Sequence, residues 1–248
     1  MNESAITIEN LTKKFEDKTA VEDLSLQVAQ GELFGLLGPN GAGKTTTINV
    51  LCGLVKPTSG TAKIMGFDVQ KAAQNVKEQI GVCIQETAIY PYLTGKENLE
   101  LFGKLYGMNK KTIKERSTML LTKMALTEDA KRLTAKYSGG MKRRLSLALA
   151  LIHDPQIAFL DEPTVAMDPQ SRHAVWDFIK DQKTRGKTII LTTHYMEEAE
   201  ELCDRIGIID HGKLIALGTP KDLIAKNHVK NLEEVFIQLT GRNMREEM

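Results

Sequence analysis

Apolar and polar residues alternate in the first part of the chain, which then gives way to short, wholly apolar segments. The alternating apolar positions are Ile6, Ile8, Val21, Leu24, Leu26 and Val28. This period of two predicts antiparallel strands with one buried face. The apolar segments are LFGLL, IGVCI, IAFLD and TIILTT, and each is typical of a parallel strand covered on both faces. Because helical patterns lie between them, the sequence predicts an α/β core.

The stretch from Thr94 to about Lys136 has helical periodicity and no strand pattern. Thr94 and Glu97 have the spacing of a capping box at the start of a helix. Apolar residues follow at helical intervals in two groups, Leu99, Phe102 and Tyr106, then Ile113, Leu120, Leu121 and Met124. This pattern predicts a helical subdomain inserted into the α/β core.

Two further elements are predicted near the end of the chain. Ile206–Asp210 and Leu214–Leu217 flank a tight turn at His211–Gly212, which indicates a hairpin. A final helix places Leu232, Val235, Phe236 and Leu239 on one face. We therefore expect a catalytic core of residues 1–92 and 140–225, an inserted helical subdomain of residues 93–139, and a helical tail of residues 226–248.

Composition narrows the class of protein. The chain has 248 residues, 42% of them hydrophobic and 26% charged, with a formal net charge of +1. A dedicated nucleic-acid binder usually has a basic excess, so we expect no nucleic-acid partner. The longest apolar run, Leu147–Ile152, is far below the about 18 residues of a membrane span, and the first residues lack the pattern of a signal peptide. We expect a soluble, intracellular protein whose three cysteines are reduced.

A glycine-rich loop follows the segment LFGLL. It reads Gly38-Pro39-Asn40-Gly41-Ala42-Gly43-Lys44-Thr45 and fits the pattern G-x-x-x-x-G-K-[ST]. Glycines let backbone N–H groups turn toward phosphates, and the following helix, predicted from Lys44 to about Leu54, adds its positive end. Lys44 is expected to reach the β- and γ-phosphates, and the Thr45 hydroxyl to bind Mg²⁺. The loop predicts that the chain binds and hydrolyses a nucleoside triphosphate.

Polar residues follow the other apolar segments. IGVCI ends in Gln85, IAFL in Asp161-Glu162, and TIILTT in His194. Parallel neighbouring strands would bring these ends to one edge, where ligands of open α/β sheets bind. Asp161 is suited to hold Mg²⁺ through water and Glu162 to polarise the attacking water. Gln85 can bridge the metal and that water, and His194 can donate to the γ-phosphate, although a lone Gln or His at a strand end is usually structural.

A second helix start has the character of an anion site. Ser138, Gly139 and Gly140 precede a predicted helix with Met141, Leu145, Ala148 and Ile152 on one face. Lys142, Arg143 and Arg144 in its first turn oppose the helix dipole. A nearby phosphate would relieve that cost, and a solvated basic turn is the alternative.

With the segment YSGG, Tyr137 to Gly140, the motifs resemble those of the nucleotide-binding subunit of ABC transporters over nearly the whole chain. The resemblance identifies Gly38–Thr45 with the Walker A loop, Gln85 with the Q-loop and Ser138–Gly140 with the signature. It identifies Asp161 with the end of the Walker B strand, Glu162 with the catalytic glutamate, Asp168 with the D-loop and His194 with the switch histidine. The sequences YSGGMKRRL and LEEVFIQLTGR are similar to those of the drug-export, ABC-2 type branch of the family.

The resemblance implies a P-loop NTPase (RecA-like) α/β core with an N-terminal antiparallel β subdomain and an inserted α-helical subdomain. It implies ATP and Mg²⁺ as ligands. The implied nucleotide-binding residues are Phe15, Gly38, Pro39, Asn40, Gly41, Ala42, Gly43, Lys44, Thr45 and Thr46. The implied metal-binding residues are Thr45, Gln85 and Asp161, and the implied catalytic residues are Glu162, His194 and Gln85. Phe15 would stack on adenine, or be only a half-buried loop aromatic.

The resemblance also implies partners. Two subunits would join head to tail, so that Ser138, Gly139, Gly140 and Asp168 of one reach the ATP of the other. A separate membrane permease would carry the cargo, would hold this chain on the inner face of the membrane, and would be contacted near Glu86 to Tyr92. The apolar cluster Ile89, Tyr90 and Tyr92 suits that contact, or it simply covers the junction with the helical subdomain.

The sequence departs from the family pattern at two places, and two other classes of protein remain as alternatives. Met141 stands where many members have Gln, and Ala166-Met167-Asp168 replaces Gly-Leu-Asp. The Cβ of Ala166 would restrict the D-loop if that position needs a positive φ. The alternatives to an exporter subunit are a non-transport ABC ATPase and, less compatible with the motifs, a P-loop GTPase or small-molecule kinase.

Overall fold

The computed structural model describes residues 3–84, 88–165 and 167–241. Its strands are β1 (Ser4–Phe15), β2 (Lys18–Ala29), β3 (Leu33–Leu37), β4 (Ser59–Ile64), β5 (Phe67–Asp68), β6 (Ile80–Cys83), β7 (Ile157–Asp161), β8 (Thr188–Thr192), β9 (Arg205–Asp210) and β10 (Lys213–Gly218). Its α-helices are α1 (Lys44–Leu51), α2 (Ala73–Gln79), α3 (Gly95–Leu105), α4 (Lys110–Lys123), α5 (Gly139–Ala150), α6 (Pro169–Thr184), α7 (Met196–Leu202), α8 (Pro220–Asn227) and α9 (Leu232–Thr240).

An antiparallel sheet in the order β2-β1-β4-β5 forms the first layer. Ile6 pairs with Val28 and Ile8 with Leu26, so the alternating apolar residues share the buried face, as predicted. Strands β4 and β5 were not predicted from the sequence. The period-two signal of β4 is short, because only Ala62 and Ile64 are buried.

The central sheet has the order β10-β9-β3-β8-β7-β6. Strands β9, β3, β8, β7 and β6 run parallel, and β10 returns antiparallel to β9 in the predicted hairpin. Side chains of β3 alternate between two hydrophobic cores, with Phe34 on the face toward the antiparallel sheet and Leu33 on the face toward α5 and α6. Because β3, β8, β7 and β6 are parallel neighbours, their carboxyl ends meet at one edge, as expected.

The predicted helical insertion is confirmed as α3 and α4. Thr94 caps α3 and forms the predicted capping box, in which the Glu97 carboxylate accepts from the Thr94 N–H at 2.8 Å. Arg144 at the start of α5 donates to the carbonyl of Met124 at 2.7 Å, just beyond the end of α4. Buried residues of α3 and α4 belong to the same hydrophobic core as α5, so the insertion packs on the central sheet through α5.

Helix α9 packs on the core through Leu232, Val235 and Phe236, while Leu239 is only partly buried. The N–H of Leu232 donates to Glu200 on α7 at 3.2 Å. In the part of the chain that the structure describes, no helix is long and apolar enough to cross a membrane. Helix α1 ends at Leu51, three residues before the expected Leu54, because Gly53 takes a left-handed conformation with φ 71°.

Candidate functional site

The loop between β3 and α1 is built on glycines that other residues would not replace. A Cβ at Gly38 would collide with the carbonyl oxygen of Ile209, and a Cβ at Gly43 with the carbonyl oxygen of Ala20. Gly43 also has φ 110°, a conformation that side chains rarely adopt. The loop is therefore held tightly between β9 and β2, and its backbone lies open on the other side.

The first residues of α1 point their polar groups toward the open side of the loop. The Lys44 ammonium donates to the carbonyls of Gly38 at 2.5 Å and Pro39 at 3.0 Å, so it lies over the loop. Thr45 is exposed, whereas Thr47 is buried and bonds back to the carbonyl of Gly43 at 2.9 Å. The side chain of Thr45 is therefore accessible to a ligand, whereas that of Thr47 is not.

A cleft of about 260 Å³ lies between this loop, the β1–β2 hairpin and the end of β7. Its lining residues are Phe15, Lys18, Ala20, Asn40, Gly41, Gly43, Lys44, Thr45, Thr46, Asp161 and Glu162. Phe15 is half exposed, and the ammonium of Lys13 lies 4.5 Å from its ring centroid. The sequence did not indicate Lys18 and Ala20, which reach the cleft only because the β1–β2 hairpin folds back over the loop.

Two carboxylates lie at the end of β7, and β8 positions both. The Thr192 hydroxyl donates to the Asp161 carboxylate. The N–H of Glu162 is shared between the carbonyl of Thr192 at 2.9 Å and its hydroxyl at 3.2 Å. Glu162 has φ 50°, an uncommon conformation for a residue other than glycine, which turns its side chain out of the strand direction. Sequence reasoning missed Thr192, whose only signal was the threonine pair at the end of TIILTT.

His194 lies beside Glu162, as the sequence predicted. Its Nδ1 is 3.2 Å from Glu162 Oε1, and because a carboxylate only accepts hydrogen bonds, Nδ1 carries the proton. This hydrogen bond is the largest cause that holds the pKa of Glu162 below its usual value, and the charges of His194, Lys44 and Arg143 act in the same direction against burial. The other ring nitrogen, Nε2, is buried and has no hydrogen-bond partner among the described residues.

Arg143 belongs to the site in a way that the sequence did not predict. Its side chain is buried rather than part of a solvated turn, and it donates to the carbonyls of Ile84, at the end of β6, and Asp161. Arg144 likewise donates to carbonyls within the chain, those of Met124 and Ala125. Neither arginine therefore needs a phosphate to offset the helix dipole, and Arg143 ties the first turn of α5 to two of the strand ends.

The residues of the predicted signature lie away from the cleft. Ser138 caps α5 by accepting from the N–H of Met141 at 3.2 Å, and Gly139 is exposed. Asp168 caps α6 by accepting from the N–H of Ser171 at 2.9 Å, and hydrogen bonds from Ser171 lower the pKa of its carboxyl. None of these residues lines the cleft, so the structure does not bring them together with Lys44 and Glu162. Gln85 and Ala166, both singled out from the sequence, lie outside the described residues.

The sequence profile of the family described as ABC transporter matches residues 21–165, which is more than half of the chain. The chain belongs to the ABC transporter family. This ABC protein is an ATP-binding subunit that hydrolyses ATP, and ATP-binding domains of the family generally work as a dimer with a membrane permease.

Relatives of this ABC subunit include two proteins with known roles. It is 47% identical to the linearmycin resistance ATP-binding protein LnrL of Bacillus subtilis over 218 residues, which are 88% of this chain and 70% of the relative. It is 44% identical to the Nod factor export ATP-binding protein I of Paraburkholderia xenovorans over 236 residues, 95% of this chain and 78% of the relative.

Solved structures agree with the fold of this ABC subunit. The ATP-binding subunit of an ABC transporter superposes with a TM-score of 0.88 at 29% identity and covers 95% of this chain and 99% of its own. A dimeric ATP-binding cassette in a post-hydrolysis state, bound to ADP and phosphate, superposes with a TM-score of 0.79 at 26% identity, covering 86% of this chain and 98% of its own.

Proposed function

We propose that this subunit powers a separate membrane permease that exports drug-like or lipid-like molecules. The observation that supports export is the similarity to the linearmycin resistance and Nod factor export proteins over most of the chain. The same relatives favour transport over a non-transport ABC ATPase. In this proposal the subunit lies on the inner face of the membrane, where the permease holds it.

Nucleotide binding is proposed for the cleft. The open backbone of Gly38–Gly43 and the ammonium of Lys44 would surround the phosphates, assisted by the start of α1. Pro39, Asn40 and Thr46 complete the phosphate loop, and the half-exposed ring of Phe15 would stack on adenine.

Magnesium is proposed beside the phosphates. The Thr45 hydroxyl is accessible, the Asp161 carboxylate is oriented by Thr192, and such oxygen donors suit a hard cation. No group of three or more His, Cys, Asp or Glu side chains in the described ranges is placed to hold a metal ion. Thr45 and Asp161, with Gln85, would hold the ion, whose charge offsets that of the phosphates.

Hydrolysis is proposed to depend on Glu162 and His194. Glu162 has a lowered pKa, so its carboxylate stays ionised in the site and would accept a hydrogen bond from the attacking water. A weakly basic carboxylate is better suited to orient and polarise water than to remove its proton fully. His194 Nε2, which lacks a partner among the described residues, would donate to the γ-phosphate, and Gln85 would contact the water and the ion.

A second subunit is proposed to complete each site. Ser138, Gly139 and Gly140 form the start of a twelve-residue helix, and they lie outside the cleft of their own chain. A head-to-tail dimer would place this helix start, with Asp168, against the γ-phosphate of the partner. The partner would be a second copy or a paralogue.

The permease is proposed to contact the groove between β6 and α3. Ile84, Ala88, Phe102 and Tyr106 line this groove, and β6 is the edge strand of the central sheet. Nearby, Ile89 packs against the core, and the backbone of Tyr90 is held by Asn98 through bonds of 2.9 and 3.2 Å. These contacts support the junction role for Ile89 and Tyr90. Tyr92, with 85% of its surface exposed, is available for a partner.

Replacing Tyr92 by Ala is expected to lower transport several-fold without changing the ATPase rate of the isolated subunit. The exposed ring has no role in the core, so its loss would remove only partner contact. Transport is measured with the subunit and its permease in lipid vesicles. Leu54→Ala, which removes another exposed apolar side chain, is the matched control. Equal transport by Tyr92→Ala and the control would place the contact elsewhere.

Export itself is tested in the same vesicles. ATP supplied on the side of the subunit should drive accumulation of an amphipathic drug such as doxorubicin across the membrane. ADP should support none. Movement of small hydrophilic solutes instead, with no drug transport, would contradict the proposed cargo class.

A further inference from the structure

Glu198 on α7 is a buried carboxylate with no assigned role. It has no exposed surface, and its Oε1 accepts from the Thr164 hydroxyl and from the Trp176 indole N–H, each at 2.7 Å. Its other oxygen, Oε2, is buried and has no hydrogen-bond partner among the described residues. Burying a carboxylate that accepts hydrogen bonds from only two neutral donors costs free energy of folding. A well-packed apolar side chain in such a position often gives a protein at least the same stability. Stability therefore does not explain why a glutamate occupies this buried position.

The three residues of this cluster come from three segments around the site. Thr164 lies between Glu162 and Asp168, Trp176 lies on α6, and Glu198 lies four residues after His194. Glu162 and His194 also contact each other directly. The segment from Glu162 to Thr164 is thus tied at both ends to the segment from His194 to Glu198.

Backbone hydrogen bonds connect Thr164 and its neighbours to Met167, the residue before Asp168. The N–H of Val165 bonds to the carbonyl of Glu162, and the N–H of Met167 to the carbonyl of Thr164, both at 3.3 Å. Met167 in turn lies beside the start of α5, where a Cβ on Gly140 would come within 4.0 Å of its side chain. A displacement of Thr164 would therefore move both Asp168 and the surroundings of the signature.

A second contact joins the same segments. Tyr195 packs against the ring of His194 with centroids 4.2 Å apart, and the Arg172 guanidinium of α6 lies 4.4 Å from the centroid of the Tyr195 ring. The segment from His194 to Glu198 therefore contacts α6 at two places, Arg172 through Tyr195 and Trp176 through Glu198. These contacts join the segment 194–198 to α6, and the bond from Thr164 to Glu198 joins residue 164 to both.

We infer that Glu198 is a positioning residue that couples the segment of His194 to the loop 162–168, so that engagement of the γ-phosphate by His194 sets the position of Asp168 at the dimer interface. This inference rests on the proposed roles of His194 and Asp168. The hydrogen bond between Glu198 and Thr164 carries the coupling, whereas the bond to Trp176 anchors Glu198 to α6.

The two hydrogen bonds to Oε1 permit a matched test. Thr164→Val removes one donor with little change in volume, and Trp176→Phe removes the other without touching the loop. Thr164→Val is expected to lower kcat about tenfold, the effect of one lost hydrogen bond, with the KM for ATP within about twofold of that of the wild type. Trp176→Phe is expected to keep kcat within about twofold, and the thermal unfolding midpoint of each variant is measured alongside.

A second readout follows dimerisation in the Glu162→Gln background, by analytical ultracentrifugation with ATP. Added Thr164→Val should weaken the dimer about tenfold while ATP binding is kept, and added Trp176→Phe should not. The inference would be overturned if the two variants had equal kcat and equal dimer affinity. It would also be overturned if their losses of kcat and dimer affinity were proportional to the decrease in their thermal unfolding midpoints. A wild-type chain that neither hydrolyses ATP nor dimerises would instead refute the proposed function.

Discussion

Replacing Glu162 by Gln is expected to reduce ATP turnover by a factor on the order of 10² to 10⁴ while ATP binding is retained. The amide has nearly the same shape and can still accept the hydrogen bond from His194 Nδ1. It lacks the negative charge that polarises the attacking water. The measurement is the steady-state release of phosphate, together with the Kd for ATP from calorimetry.

Glu197→Gln is the matched control for this experiment. Glu197 is exposed on α7, three residues after His194, so its substitution removes the same charge near the site without touching the cleft. Its turnover should equal that of the wild type. Near-normal turnover by Glu162→Gln would show that another group orients the water.

Replacing Lys44 by Ala is expected to weaken ATP binding at least about 100-fold, because hydrogen bonds to charged groups are among the strongest in proteins. The ammonium lies over the loop, and Lys44 is the one basic residue of α1. Its loss also leaves the carbonyls of Gly38 and Pro39 without that donor. Binding is measured by calorimetry with a non-hydrolysable ATP analogue.

Lys56→Ala is the control for Lys44→Ala. Lys56 is exposed beyond the end of α1 and does not line the cleft. Its Kd should match that of the wild type. Tight binding by Lys44→Ala would contradict the role of the phosphate loop.

The positions of Asp161, Glu162 and His194 were predictable because they depend on strand order alone. The segments IAFLD and TIILTT are apolar enough to identify buried parallel strands, and adjacent parallel strands β7 and β8 end at the same edge. The direct contact between Glu162 and His194 follows from that arrangement. The capping box at Thr94 was equally local, since it joins residues only three positions apart.

Contacts between residues distant in sequence were not predictable in the same way. Arg143 had the pattern of an exposed basic turn, and only the packing of α5 under the ends of β6 and β7 shows that its guanidinium serves two carbonyls. Nothing in the sequence distinguished Glu198 from the neighbouring acidic residues of α7 as the one that is buried. A charge pattern along the chain does not reveal which charged residue faces the core.

A complete site is proposed to combine the cleft of one subunit with the start of α5, Ser138 to Gly140, of another. Gly139 does not line the cleft of its own chain. Gly139 also provides a clean probe, because a Cβ there would meet nothing within 4 Å. Gly139→Asp should therefore fold normally, since an acidic residue suits the first turn of α5, and it should repel the phosphates of the partner's ATP.

Mixing the inactive variants Gly139→Asp and Glu162→Gln tests whether two subunits share each site. Random pairing makes about half of the dimers mixed, and each mixed dimer has one intact cleft facing one intact signature. If they do, the mixture regains about a quarter of the ATPase rate of the wild type. A mixture no more active than the average of the two separate variants would contradict a shared site.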